Sequence, residues 1–248
     1  MRLFNPVKHI PNTLSLINLL FGCLSIVSSF EGNLLLAGYF ILFAAVFDYL
    51  DGFAARLLKA YSPLGKELDS LSDLVSFGVA PSVIVFHLLK DALALAPEQG
   101  FTNGNVILAI PFLIAAFSAL RLAIFNIDTR QTTSFIGLPT PANAIFIVGV
   151  VLGLNSPYKV WFEVLTTSPV AIIAMVLVLS ALLVAPIPMF SLKVKKNDMG
   201  IGLWKQILLL VVSVIAILLM GLASVALIIL VYVLLSIVNN VFVRFKKR

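Results

Sequence analysis

The sequence predicts an all-α polytopic membrane protein, on three observations. Of 248 residues, 61% are hydrophobic and only 11% charged, and the mean hydropathy is +1.11, well outside the composition of soluble domains. Apolar runs recur at the roughly 17–25 residues that cross a hydrocarbon layer of about 30 Å. The longest polar connections, 91–104, 127–137, 156–168 and 193–203, are each too short to enclose a core of their own.

The runs fall at 11–30, 34–56, 68–90, 105–126, 138–155, 169–192, 204–220 and 222–242, which predicts about eight transmembrane helices. Arg2 and Lys8 precede the first run as they would in a secretory signal. Pro11, Asn12 and Asn18 interrupt that run and no small-x-small cleavage site follows, so it reads as a retained first helix. Tyr61, Ser62, Pro63 and Gly65 read as the turn between the second and third helices. Gly137, Pro139 and Pro141 break the start of the fifth. Only Gly221 and its neighbours separate the last two, a spacing that fits either a tight hairpin or one bent insertion. The lone Cys23 cannot form an intrachain disulfide, and His9 and His87 are too few and too far apart for a His-rich metal site.

Charge sets the orientation. With both termini on one side, that side holds Arg2, Lys8, Arg56, Lys59, Lys66, Arg121, Arg130, Lys193, Lys195, Lys196, Lys205, Arg244, Lys246, Lys247 and Arg248, leaving Lys90 and Lys159 for the other. The positive-inside rule then makes the N- and C-termini cytoplasmic, in the cell's inner membrane. The net charge of +6 reads as anchoring to anionic head groups of the lipid bilayer. No nucleic acid partner is expected, because the basic residues are dispersed and no aromatic platform lies among them.

The chemistry concentrates in one stretch, Asp48-Tyr-Leu-Asp51-Gly52-Phe-Ala-Ala55-Arg56 followed by Gly65-Lys-Glu-Leu-Asp69-Ser-Leu-Ser-Asp73. Charge beside a hydrocarbon layer is expensive and is kept for function. Asp48 and Asp51 are spaced i, i+3 and Asp69 and Asp73 i, i+4, so on helices each pair shares a face. Two carboxylates about 5 Å apart at an effective dielectric near 20 repel by roughly 3 kcal/mol, so the four need protons or cations. All-oxygen donors favour Mg²⁺ or Mn²⁺ over zinc. Four carboxylates suit two divalent ions, the arrangement that clamps the attacking and leaving oxygens of a phosphoryl displacement. Gly52, Gly65 and Ala55 keep the wall thin where a ligand approaches, and Arg56 offers a bidentate donor to a phosphate.

The spacing D-x2-D-G-x2-A-R-x8-G-x3-D-x3-D, complete from Asp48 to Asp73, resembles the signature of the CDP-alcohol phosphatidyltransferases, membrane enzymes that move a phosphatidyl group from a CDP-linked lipid to an alcohol. The resemblance implies that Asp48, Asp51 and Asp69 bind metal, that Asp73 joins them and acts as or beside the general base, and that Gly52, Ala55, Arg56 and Gly65 shape the CDP and phosphate site. It places the active site at the cytoplasmic ends of helices 2 and 3 and makes 1–192 the family's transmembrane domain. Residues 193–248 then form a basic loop, two additional helices and a basic tail. Homodimers are common in the family.

The segments Ile10–Gly22, Asp69–Pro81, Ala119–Asn126 and Phe135–Ala142 resemble the serine-accepting members, the membrane-bound phosphatidylserine synthases. That implies CDP-diacylglycerol and L-serine as substrates, and phosphatidylserine and CMP as products of a direct displacement. Serine requires a cation for its carboxylate and an acceptor for its ammonium; Arg121 and Asn126 are the candidates. That subgroup usually carries a second basic residue three positions after the arginine, where this chain has Ile124. Glycerol 3-phosphate or inositol phosphate as acceptor requires more cationic side chains than Arg121 and Arg130 supply. A cation transporter built on the same four aspartates gains nothing from Arg56 and lacks the inverted repeat of many transporters.

Overall fold

The computed structural model describes residues 9–95, 105–128, 135–189 and 203–246, without the side chains of Phe135 and of 241–246. Of the basic residues that set the orientation, Arg2, Lys8, Arg130, Lys193, Lys195, Lys196, Lys247 and Arg248 lie outside the described residues. Those described are helical apart from turns and one pair of two-residue strands.

Helix α1 (Ile10–Phe30) carries its pattern inside out. Leu16, Leu20, Leu24 and Val27 are exposed, whereas Ser15, Asn18, Gly22, Ser25 and Ser29 are buried. In a bilayer, exposed leucine meets lipid, while small and hydroxyl side chains let helices approach and bond. The buried stripe faces α2 (Leu34–Leu57) and the third helix. A turn through Gly32, at φ +80°, leads to α2. Asn33 caps α2 by accepting from the Leu36 N–H at 3.0 Å.

The third helix starts five residues earlier than the apolar run suggests. Ser62 accepts from the Gly65 N–H at 2.9 Å and Pro63 occupies the first turn, so α3 spans Pro63–Asp73 and Gly65 lies inside it rather than in the turn. The helix continues through one wide π-type turn, Leu74–Val79, into α4 (Ala80–Ala92). Pro81 accounts for the widening: it has no N–H to donate and its ring crowds the carbonyl four residues back, and the Ala80 N–H reaches Val75 instead.

A 3₁₀ stretch, Val106–Phe112, leads into α5 (Leu113–Ile127). Strand β1 (Phe135–Ile136) pairs antiparallel with β2 (Pro188–Met189), Phe135 opposite Met189. Between them run α6 (Thr140–Leu154), α7 (Lys159–Thr166) and α8 (Pro169–Val184). Gly137, at φ +80°, passes so close to the Leu183 carbonyl that a side chain would collide with it. The loop expected at 156–168 contains α7, which exposes Val160, Trp161 and Val164 and bends 85° from α8. Helices α9 (Trp204–Met220) and α10 (Val225–Lys246) follow.

Five described stretches are long and apolar enough to cross a membrane: Ile10–Phe30, Leu34–Leu57, Pro63–Ala92, Val106–Ile127 and Trp204–Asn240. The bent α7–α8 pair makes a sixth. This is the architecture of an integral membrane protein. The sequence count of eight differs at two places. Helix α6 has 15 residues and is about 22 Å long, short of a full crossing by itself. The final stretch of 37 residues is broken at Gly221–Ser224 and folds back, since the Lys205 ammonium donates to Asn239 Oδ1 at 2.7 Å. It is a hairpin, not one bent helix.

Contacts gather at two ends. At one, Lys66 bonds to Asn126, Arg121 to Thr140, β1 to β2, and Asn240 to Pro188. At the other, the Tyr158 hydroxyl donates to the Leu219 carbonyl at 2.7 Å.

Candidate active site

The first end holds the aspartates. Asp48 and Asp51 lie one turn apart near the end of α2 and Asp69 lies on the facing turn of α3; one carboxylate oxygen from each lies within 4.8 Å of the others. Asp73, one turn further along α3, is buried and within hydrogen-bonding reach of Asp48. The two i-spaced pairs therefore face each other, with three carboxylates at one point and the fourth beside it.

Helix α1 orders this cluster, which the motif alone does not reveal. Ser15 Oγ donates to Asp51 Oδ2 at 2.5 Å and Asn18 Nδ2 to Asp73 Oδ1 at 3.3 Å. Ser76, in the π-type turn, donates to the Asn18 carbonyl at 2.9 Å. Gly22, one turn after Asn18, lies directly against Ser76 with no room for a Cβ, and on the turn's other flank Gly78 lies against Ser118 of α5. The wide turn after Asp73 is thus held from both sides. Ser15 and Asn18 were legible only as polar residues three apart on an apolar helix.

Beside the cluster is a cavity of about 180 Å³, lined by Asp51, Gly52, Ala55, Gly65 and Asp69, with Asn12 and Lys66 at its side. A Cβ on Gly65 would stand 3.0 Å from Asn12 Oδ1, so this glycine sets the approach of α3 to α1. Arg56 is exposed and folds back along α2, its Nη1 about one van der Waals contact from the open position at Gly52.

The two acceptor candidates do not converge. Arg121 is 7% exposed; its Nη1 donates to Thr140 Oγ1 at 3.5 Å, its Nε has no partner, and it lies in electrostatic reach of Asp73. Its guanidinium carbon is 6.0 Å from the Phe125 ring centre, a cation–π distance. Asn126 turns the other way. Its Nδ2 donates to Ser70 Oγ at 2.9 Å and its carbonyl accepts from the Lys66 ammonium at 2.8 Å, which ties α5 to α3.

The donor set fits a hard divalent cation. Three carboxylates within 4.8 Å of one another repel by roughly 3 kcal/mol per pair at an effective dielectric near 20. Their oxygen-only chemistry matches Mg²⁺ or Mn²⁺ and not a thiolate- or imidazole-loving metal. With the glycine-walled cavity alongside, the arrangement can take a phosphate-bearing ligand against a cation-filled acidic cluster.

Known proteins share this arrangement's sequence. A Helicobacter pylori (strain J99) protein named CDP-diacylglycerol–serine O-phosphatidyltransferase is 36% identical over 156 residues, 62% of this chain and 61% of its own length. A Bacillus subtilis protein of the same name is 37% identical over 142 residues, 57% of this chain and 75% of its own. An archaetidylserine synthase of Methanothermobacter thermautotrophicus is 37% identical over 140 residues, 56% and 55% of the two chains. The chain thus spans 61% of the length of the Helicobacter relative it matches. The CDP-alcohol phosphatidyltransferase family profile matches residues 8–244, from the start of α1 through nearly all of α10, and the chain belongs to that family.

Proposed function

We propose that the protein transfers a phosphatidyl group from CDP-diacylglycerol to the hydroxyl of L-serine, giving phosphatidylserine and CMP in phospholipid biosynthesis. The observation that carries this is the convergence of Asp48, Asp51 and Asp69 within 4.8 Å beside the Gly52–Gly65 cavity, in a chain whose relatives are named serine phosphatidyltransferases.

In this reading Asp48, Asp51, Asp69 and Asp73 hold two divalent ions, Mg²⁺ or Mn²⁺. The ions supply neutralising charge for the pyrophosphate and for the leaving phosphate. Gly52, Ala55 and Gly65 admit the CDP moiety and Arg56 binds its phosphate from the exposed side. Arg121 takes the acceptor carboxylate. Asn126, with its amide committed to Ser70, braces α5 against α3 instead of binding the acceptor. Asp73, kept in place by Asn18, accepts the proton of the serine hydroxyl as that oxygen attacks the phosphorus bearing the lipid. The P–O bond to CMP breaks in the same displacement, without a covalent enzyme intermediate, and Ser15 serves to hold Asp51.

The same proposal places the protein in the cell's inner membrane with eight crossings, α7–α8 counting as one and α9 and α10 as two, and both termini on the cytoplasmic side with the aspartates. The basic residues of the α2–α3 turn and the two-ended contact pattern support it. The proposed catalytic domain is 1–192, residues 193–248 are an addition that carries the α9–α10 hairpin, and a homodimer is the proposed assembly.

The test is purified protein with CDP-diacylglycerol, Mn²⁺ or Mg²⁺ and labelled L-serine, following CMP and labelled lipid together. Both products are expected from wild type, and Asp73→Asn should lower turnover by about 10²–10⁴-fold, the range of general-base removal. CMP release with glycerol 3-phosphate but not with serine would overturn the acceptor assignment.

A further inference from the structure

Beyond Arg121, the structure holds a polar group that the aspartate chemistry does not use. Asn143 is the fourth residue of α6, is fully buried, and both its amide nitrogen and its amide oxygen lack a hydrogen-bond partner. Thr140, which accepts from Arg121, precedes Asn143 by three residues, so the two share one face of α6. Arg121 itself has an unpartnered Nε. An orphaned amide and an orphaned guanidinium N–H, linked through Thr140 on the same helix face, are costly in an apolar interior, and a ligand that meets both would offset that cost.

The unmet valences define the ligand. Arg121 Nε and Asn143 Nδ2 are donors and fit a carboxylate; Asn143 Oδ1 is an acceptor and fits an ammonium. A side chain that must satisfy both signs at one carbon is suited to an α-amino acid zwitterion. Asp73 in turn lies within electrostatic reach of Arg121. Tyr232 is buried on α10, in electrostatic reach of Arg121, and α10 is packed on α6 so closely that Gly149 has no room for a Cβ against Ala226.

We propose that Asn143, with Thr140 and Arg121, forms the zwitterion-reading end of the acceptor site, and that Tyr232 of the terminal hairpin closes it as a positioning residue. This rests on serine being the acceptor. It gives the last two helices a role in acceptor selection and supplies the polar contact that Ile124 cannot offer.

The experiment measures KM for L-serine and for CDP-diacylglycerol, kcat and thermal stability on the full chain in lipid nanodiscs, for wild type, Asn143→Ala and Tyr232→Phe. Ethanolamine, which lacks the carboxylate, and 3-hydroxypropionate, which lacks the ammonium, are run as competing acceptors. Asn143→Ala should raise KM for serine at least tenfold, leave KM for CDP-diacylglycerol within twofold and narrow the preference for serine over both analogues. Tyr232→Phe should raise KM for serine about threefold with kcat retained. Equal KM values for serine in wild type and Asn143→Ala, or parallel loss of both substrates' KM, would overturn the proposal. Should Asn143→Ala fail to accumulate, the isosteric Asn143→Asp carries the test: its carboxylate repels that of serine, so an unchanged KM refutes the site. Wild type that makes no phosphatidylserine would refute the serine reading itself, whatever the variants do.

Discussion

Asp69 illustrates how the cluster works against the fold until it is filled. It shares an oxygen locus with Asp48 and Asp51, so Asp69→Asn removes two like-charge pairs of roughly 3 kcal/mol each at an effective dielectric near 20. Without divalent ions the variant should therefore melt higher than wild type by several degrees. Added Mn²⁺ should reverse the order. At a hundred times its Kd a ligand that binds the folded state alone contributes about 2.7 kcal/mol, which wild type gains and Asp69→Asn largely forgoes. Melting in EDTA and in Mn²⁺ checks this, and a variant less stable than wild type in EDTA would count against mutual repulsion. The aspartates were legible because charge in a hydrocarbon setting is conspicuous. Ser15 and Asn18 were not, because neutral side chains on an apolar helix raise no flag and their partners stand 36 and 55 residues away. Asn126 parts from Arg121 for a geometric reason: five residues on a helix turn the side chain by about 140°, and its amide nitrogen donates to Ser70.

At the scale of elements, the sequence located the helices and missed what joins them. Apolar length found α1, α2 and α6 nearly to their ends and the third helix and α5 with their starts displaced, since a bilayer admits little else. It missed α7, whose eight residues are too few and too mixed to register, and it left α9–α10 open because a glycine break alone does not tell a hairpin from a bend. The π-type turn Leu74–Val79 was equally hidden, although Pro81 is its cause. That turn and Gly22 form the joint on which Asp73 depends. Gly22→Val would drive a side chain into Ser76, and overpacking of this kind costs about 1–3 kcal/mol. The larger effect falls on chemistry, because α1 cannot retreat from Ser76 without stretching the Asn18–Asp73 bond. Turnover should fall at least tenfold while the melting temperature drops only a few degrees; full activity with the same fold would show that the joint does not position Asp73.

At the scale of the molecule, the alternation of contacts fixes which loops share a side. The α2–α3 turn with Lys59, the end of α5, the start of α6, the β1–β2 pair and the open end of the α9–α10 hairpin form one end, and the α1–α2 turn, Tyr158 and Leu219 the other. Basic residues crowd the first end among the described residues, so the proposed orientation, which follows the positive-inside rule, puts that end in the cytoplasm. Cys23, the single cysteine, is exposed on α1 and faces the lipid side of the helix, so it can be replaced by serine to give a background free of thiols. On that background Glu31→Cys, Lys159→Cys and Lys59→Cys place one thiol each in a different loop. In intact cells a membrane-impermeant maleimide should label the first two and reach Lys59→Cys only after permeabilisation. Labelling of Lys59→Cys from outside would invert the topology and put the aspartates on the wrong side for a cytoplasmic nucleotide substrate. Labelling of Glu31→Cys but not Lys159→Cys would mean that α5 and α6 do not both cross, and the eight-crossing arrangement would fall while the aspartate site kept its side.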